Sequence, residues 1–97
     1  MEILKNLDNK TLTISLIGRL DTNTAPELEK VIYEVGSKDI VLDCSKLEYV
    51  SSAGLRVLLL IQKKVNNGIL SFTLTNVIDD VNEVLEMTGF SSILNIK

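Results

Sequence analysis

The feature that most limits what this chain can fold into is a hydrophobic period that keeps changing along it. Thr11 to Ile17 reads Thr-Leu-Thr-Ile-Ser-Leu-Ile, with Leu12, Ile14 and Leu16 alternating against Thr11, Thr13 and Ser15. A period of two is the mark of a half-buried strand. Ile3 to Leu7 precedes it, with Asp8-Asn9-Lys10 as a turn, so a hairpin is expected there, with Gly18 ending its second strand. The period then lengthens. Ala25, Leu28, Val31, Ile32 and Val35 recur at helical spacing. Thr24 and Glu27 predict a capping box, Pro26 suits the first turn, and Gly36 stands where a left-handed stop residue would. Ile40-Val41-Leu42 lacks alternation and predicts a central strand buried on both faces. Ser51 to Val65 is helical again, with Leu55, Leu58, Leu59, Ile61 and Val65 on one apolar face and Asn66-Asn67-Gly68 ending it. Ile69 to Thr75 alternates as a strand, Val77 to Leu85 returns to helical spacing, and Gly89 stops that helix. Ile93 to Ile96 is expected to add a last edge strand or a tail packed on the sheet. The pattern predicts a single α/β domain over residues 1–97, a mixed β-sheet with helices packed on it, in the order β-β-α-β-α-β-α with an optional last strand.

What is missing narrows the chemistry. The 97 residues contain no His and one Cys. That excludes Ser-His-Asp triads, Cys-His dyads, an internal disulfide and most zinc sites. The glycines are isolated, with no phosphate-cradling loop. No catalytic role, metal or cofactor is expected. The formal net charge of −3 argues against a direct nucleic-acid partner. The longest aliphatic stretch, Val57 to Ile61, is far short of the ~20 residues that span a bilayer, and the N-terminus shows no signal peptide. A cytoplasmic protein without membrane association is expected. Cys44, inside a hydrophobic run, reads as a small core residue.

One place departs from ordinary helix chemistry. Ser51-Ser52-Ala53-Gly54-Leu55 opens the second helix with tandem serines and a glycine in its first turn. Glycine in a helix costs up to about 1 kcal/mol against alanine, so the backbone there must come close to something. Tight packing on the sheet and approach by another protein both satisfy that. One serine serves as the expected cap, which leaves a second hydroxyl free. A helix start carries roughly half a positive charge, so a phosphate added at Ser52 would be accommodated. At 100° per residue, Ser52, Arg56 and Lys63 point in similar directions, with Leu60 outside the main apolar stripe. An apolar residue rimmed by cations is either an anchor for a partner or is covered by a neighbouring helix.

These residues also carry a resemblance. Leu42 to Leu55, reading Leu-Asp-Cys-Ser-Lys-Leu-Glu-Tyr-Val-Ser-Ser-Ala-Gly-Leu, resembles the signature of the STAS domain. Gly18-Arg19-Leu20-Asp21-Thr22-Asn23-Thr24-Ala25 is similar to a second element of that family, and Val81 to Phe90 to a third. The three lie in family order and span essentially the whole chain. The resemblance implies a bacterial anti-sigma factor antagonist, which binds an anti-sigma factor and so frees a sigma factor. It further implies that the partner is a serine kinase that phosphorylates the antagonist, and that a phosphatase resets the switch. By position the acceptor is Ser52, with Ser51 as runner-up, because this chain has serine where many members have aspartate. Asp21, Thr22 and Asn23 fall in the loop expected beside it. With Ser51, Ser52, Ala53, Gly54, Arg56 and Leu60 they make up the expected partner-binding surface. The alternative is a STAS scaffold or subunit of a signalling or lipid-transport assembly without a phospho-switch.

Overall fold

In the computed structural model, which describes residues 1–97, the chain opens with a hairpin. Strand β1 (Glu2–Asp8) runs antiparallel to β2 (Thr11–Leu20), and Asn9, at φ 60°, turns the chain between them. Strand β2 pairs in parallel with β3 (Asp39–Val50), and β3 in parallel with β4 (Ser71–Thr75), giving the order β1-β2-β3-β4. Parallel neighbours need a crossover. Helix α1 (Ala25–Glu34) provides the first and α2 (Ser52–Lys63) the second. Helix α3 (Asp79–Met87) follows β4, and Gly89, at φ 81°, stops it before a single 3-10 turn at Phe90–Ser92. The expected element order holds.

The alternation decides which face of the sheet is sealed. Leu12, Ile40 and Phe72 line up across three strands, as do Ile14, Leu42 and Leu74. These rows are buried and form one core with Leu28 and Ile32 of α1, Leu55, Leu58 and Ile61 of α2, and Val81 and Leu85 of α3. The opposite positions, Thr13, Val41, Asp43 and Thr73 among them, stay only part-buried. Strand β3 is therefore central but not buried on both faces. A run of three β-branched and aliphatic residues was compatible with either arrangement, and the threonines and serines of the neighbouring strands decide it.

Other expectations are corrected. Gly18 does not end β2: at φ 110° it carries the strand through a register shift and on to Leu20. Strand β3 likewise runs well past Leu42, and a bulge there puts Cys44 and Ser45 opposite Leu16. Asp43 steadies it, its Oδ1 accepting from the Ser45 amide at 3.1 Å. Gly36 is not left-handed, because Val35 turns extended and ends α1 without it. Strand β4 begins at Ser71, and Ile69 contributes a lone bridge to Val65 instead. The optional last strand shrinks to one bridge between Ile96 and Leu74. No helix is long and apolar enough to cross a membrane.

Candidate functional site

The extra length of β2 and β3 builds the site. Past the bulges the two strands finish side by side, with Arg19 opposite Tyr49 and Leu20 opposite Val50. The chain leaves β2 into the Asp21–Thr24 loop and leaves β3 into α2. Both exits are at the carboxyl ends of parallel strands, where open α/β sheets place their ligands. The Ser51 amide donates to the Leu20 carbonyl at 2.9 Å and ties the two exits together.

The loop is held from inside. Thr24 is the N-cap of α1 but its side chain makes no capping bond, and Asp21 holds the turn before it: its Oδ1 accepts from the amides of Asn23 and Thr24 at 3.0 and 3.2 Å, and its carbonyl accepts from the Ala25 amide at 2.8 Å. Thr24 already has helical backbone angles, so its hydroxyl points back into the loop. That hydroxyl accepts from the Asp21 amide at 2.8 Å and donates to the Arg19 carbonyl at 2.7 Å. The expected Thr24–Glu27 capping box is therefore not formed. Partial desolvation pushes the Asp21 carboxyl up, but bonds from Asn23 and Thr24 and the charge of Arg19 outweigh it, and the group is held below its ordinary value. Thr22 and Asn23 are exposed on the loop surface.

At the start of α2 the two serines take different jobs. Ser51 is the N-cap, with extended backbone and a side chain that accepts from the Gly54 amide at 3.3 Å. Ser52 is the first residue of the helix, exposed and without a hydrogen bond from its hydroxyl to the protein. Ala53 is half-buried, Arg56 exposed, and Leu60 half-buried. Gly54 packs against the sheet. It is buried, and a Cβ on it would lie 2.8 Å from the Leu20 carbonyl oxygen, 2.9 Å from Leu20 Cγ and 3.0 Å from Val50 Cγ1. The missing side chain lets α2 sit down on the ends of β2 and β3.

Two residues of this end stand outside the expected partner-binding set. Arg19 stacks its guanidinium over the Tyr49 ring at 4.1 Å and reaches Asp21 Oδ2 at 3.9 Å. Arginine and tyrosine are enriched where interfaces bind most strongly. Only the register of two bulged strands brings this pair together. No group of three His, Cys, Asp or Glu side chains is placed to hold a metal ion. The site offers a shaped, mostly polar surface on which the hydroxyls of Ser52 and of Thr22 are exposed and make no hydrogen bond within the protein, which suits recognition.

Comparison with known proteins bears on the family and the fold. BtrV of Bordetella bronchiseptica, whose name places it provisionally among anti-sigma factor antagonists, is 35% identical over 88 residues, covering 88% of this chain and 76% of BtrV. A crystal structure of an anti-sigma factor antagonist from Mycobacterium paratuberculosis superposes with a TM-score of 0.86 at 24% identity, over 98% of this chain and 83% of that one. Bacillus SpoIIAA in its phosphorylated form superposes with a TM-score of 0.71 at 17% identity, over 99% of this chain and 91% of that one. At those identities the two structures speak for the fold. The STAS domain family pattern matches residues 2–97, nearly the whole chain, and the chain belongs to the STAS domain family.

Proposed function

We propose that the chain is a cytoplasmic anti-sigma factor antagonist, a non-enzymatic regulator that binds an anti-sigma factor with serine-kinase activity and is released by phosphorylation of Ser52. The single observation behind the switch is the division of labour at the start of α2. Ser51 spends its hydroxyl on the helix, and Ser52 presents an unengaged hydroxyl to solvent one residue later. In the reaction, Ser52 Oγ attacks the γ-phosphorus of ATP on the kinase. The bond to the β-phosphate oxygen breaks, ADP leaves, and a base of the kinase takes the hydroxyl proton. A phosphatase later hydrolyses the ester. The phosphorylated form of the structurally similar SpoIIAA supports a fold that tolerates the modification.

The added group carries about −1.5 to −2 charges and sits where the helix dipole favours it, so the fold survives. The interface does not, because a desolvated and unpaired charge costs several kcal/mol. A loss of about 2–4 kcal/mol, roughly thirty- to a thousand-fold in affinity, is enough to exchange partners. Asp21, Thr22 and Asn23 on one side and Ser52 on the other frame the contact. The test is titration of the recombinant anti-sigma factor kinase from the same locus. Ser52→Ala is expected to bind like wild type and to remain bound with ATP, and Ser52→Asp to bind at least thirty-fold more weakly. Equal binding by Ser52→Asp would reject the switch.

A further inference from the structure

Helix α2 carries more than its first turn. At 100° per residue its exposed side runs through Ser52, Arg56, Leu59, Leu60 and Lys63. Leu59, expected on the core side, is only part-buried. Neither it nor Leu60 belongs to the core or to the side chains packed against it. Val57 takes the buried place instead, at 4% exposure. Two adjacent leucines thus lie on the outward half of a helix, with Arg56 before them and Lys63 after.

The charge there runs against the rest of the molecule. The chain as a whole has a net charge of −3, yet α2 contains no Asp or Glu. Arg56 and Lys63 are exposed, and Lys64 extends the line at the C-cap, its Nζ 5.0 Å from the centre of the Tyr33 ring. None of the three is paired with a carboxylate, since the one ion pair of the chain is Arg19–Asp21. Helix α3 is the opposite case, with Asp79, Asp80, Glu83 and Glu86 and no cation.

We infer that the outward face of α2 from Arg56 to Lys64 is a second half of the docking surface, and that it takes an acidic protein face with an apolar recess for the Leu59–Leu60 pair. This rests on the reading of Ser52 as the contact switch, because the ridge continues from that residue along the same helix. Charge selects the occupant: three unpaired cations on an acidic protein call for carboxylates opposite them. The leucines supply the apolar centre that an interface needs inside a polar rim.

The test uses the full chain and the recombinant anti-sigma factor kinase, with affinity measured at low and high salt. Wild type is expected to bind less tightly at high salt. Arg56→Glu with Lys63→Glu is expected to lower affinity at least tenfold at low salt and to flatten the salt dependence. Leu60→Ser is expected to lower affinity at both salts. Arg56 and Lys63 are exposed and Leu60 is half-buried outside the core, so circular dichroism should show all variants folded. If Ser52→Asp weakens binding while the charge reversal and Leu60→Ser do not, the ridge inference is overturned and the switch stands. If wild type does not bind the kinase at all, both fall. Sedimentation of the chain alone covers the remaining occupant: self-association abolished by Lys63→Glu and also by Glu83→Lys would assign the face to a second copy and overturn the inference.

Discussion

Replacing Gly54 with alanine sets two effects against each other, and the structure says which one wins. Alanine is the better helix former by about 0.8–1.0 kcal/mol, so on propensity alone Gly54→Ala should stabilise α2. The new Cβ, however, would meet the Leu20 carbonyl oxygen at 2.8 Å and two further carbons at 2.9 and 3.0 Å. Overpacking a filled site costs about 1–3 kcal/mol, and more when backbone must move. Here backbone must move. The Leu20 carbonyl accepts the Ser51 amide at 2.9 Å, and Leu20 is held in register against Val50. The cost therefore belongs at or above the top of that range, and the net result is a loss of about 2 kcal/mol. For a domain near 100 residues that lowers the melting temperature by about 8–16 °C. Thermal and urea unfolding followed by circular dichroism read it directly. A Gly54→Ala protein as stable as wild type, or more so, would refute the close-packing account of this glycine.

Three further outcomes follow from the same geometry. Ser51→Ala removes a helix cap and should cost about 1 kcal/mol in urea unfolding, whereas Ser52→Ala should stay within about 0.5 kcal/mol of wild type. The reverse order would exchange the roles of the two serines. The Asp21 carboxyl, held below its ordinary value of 3.8, favours the folded state wherever it is ionised. That contribution is complete above the ordinary value and lost as pH falls through the lower value of the folded chain. The stability gap between wild type and Asp21→Asn should therefore shrink on acidification, and a gap that widened would contradict the loop geometry. Burial, and then the neighbouring Asp43 charge, push the Cys44 thiol up to about 12. A thiol reagent such as Ellman's should leave the native protein unlabelled at neutral pH and react only on unfolding; prompt labelling of the native state would count against a buried Cys44.

Much of this architecture is written in local patterns, and the exceptions share a cause. The element order and the helix faces around Leu28, Ile32, Leu58 and Ile61 follow from hydrophobic period, which is a property of each segment. The lengths of β2 and β3 are not such a property. They extend through Gly18 and Ser45 because each strand pairs with the other across two register shifts, and no single segment displays that. Arg19 and Tyr49 were invisible as a pair for the same reason. The place of Ser51 and Ser52 at a helix start was legible, because caps are a local device. The use of Gly54 is not legible from its own segment, since the group it avoids, the Leu20 carbonyl, lies on another strand. Thr24 holds the N-cap position without the expected capping box because its hydroxyl is taken by the Asp21 amide and the Arg19 carbonyl, partners that its own segment does not reveal.

The most direct test of the central claim is the intact mass of the protein after incubation with ATP and the kinase from its own locus, measured for wild type, Ser51→Ala and Ser52→Ala in parallel. Wild type and Ser51→Ala should each gain one phosphoryl group and Ser52→Ala none. A phosphoryl group carried by Ser52→Ala, or none on wild type while it binds that kinase stably, would contradict the account.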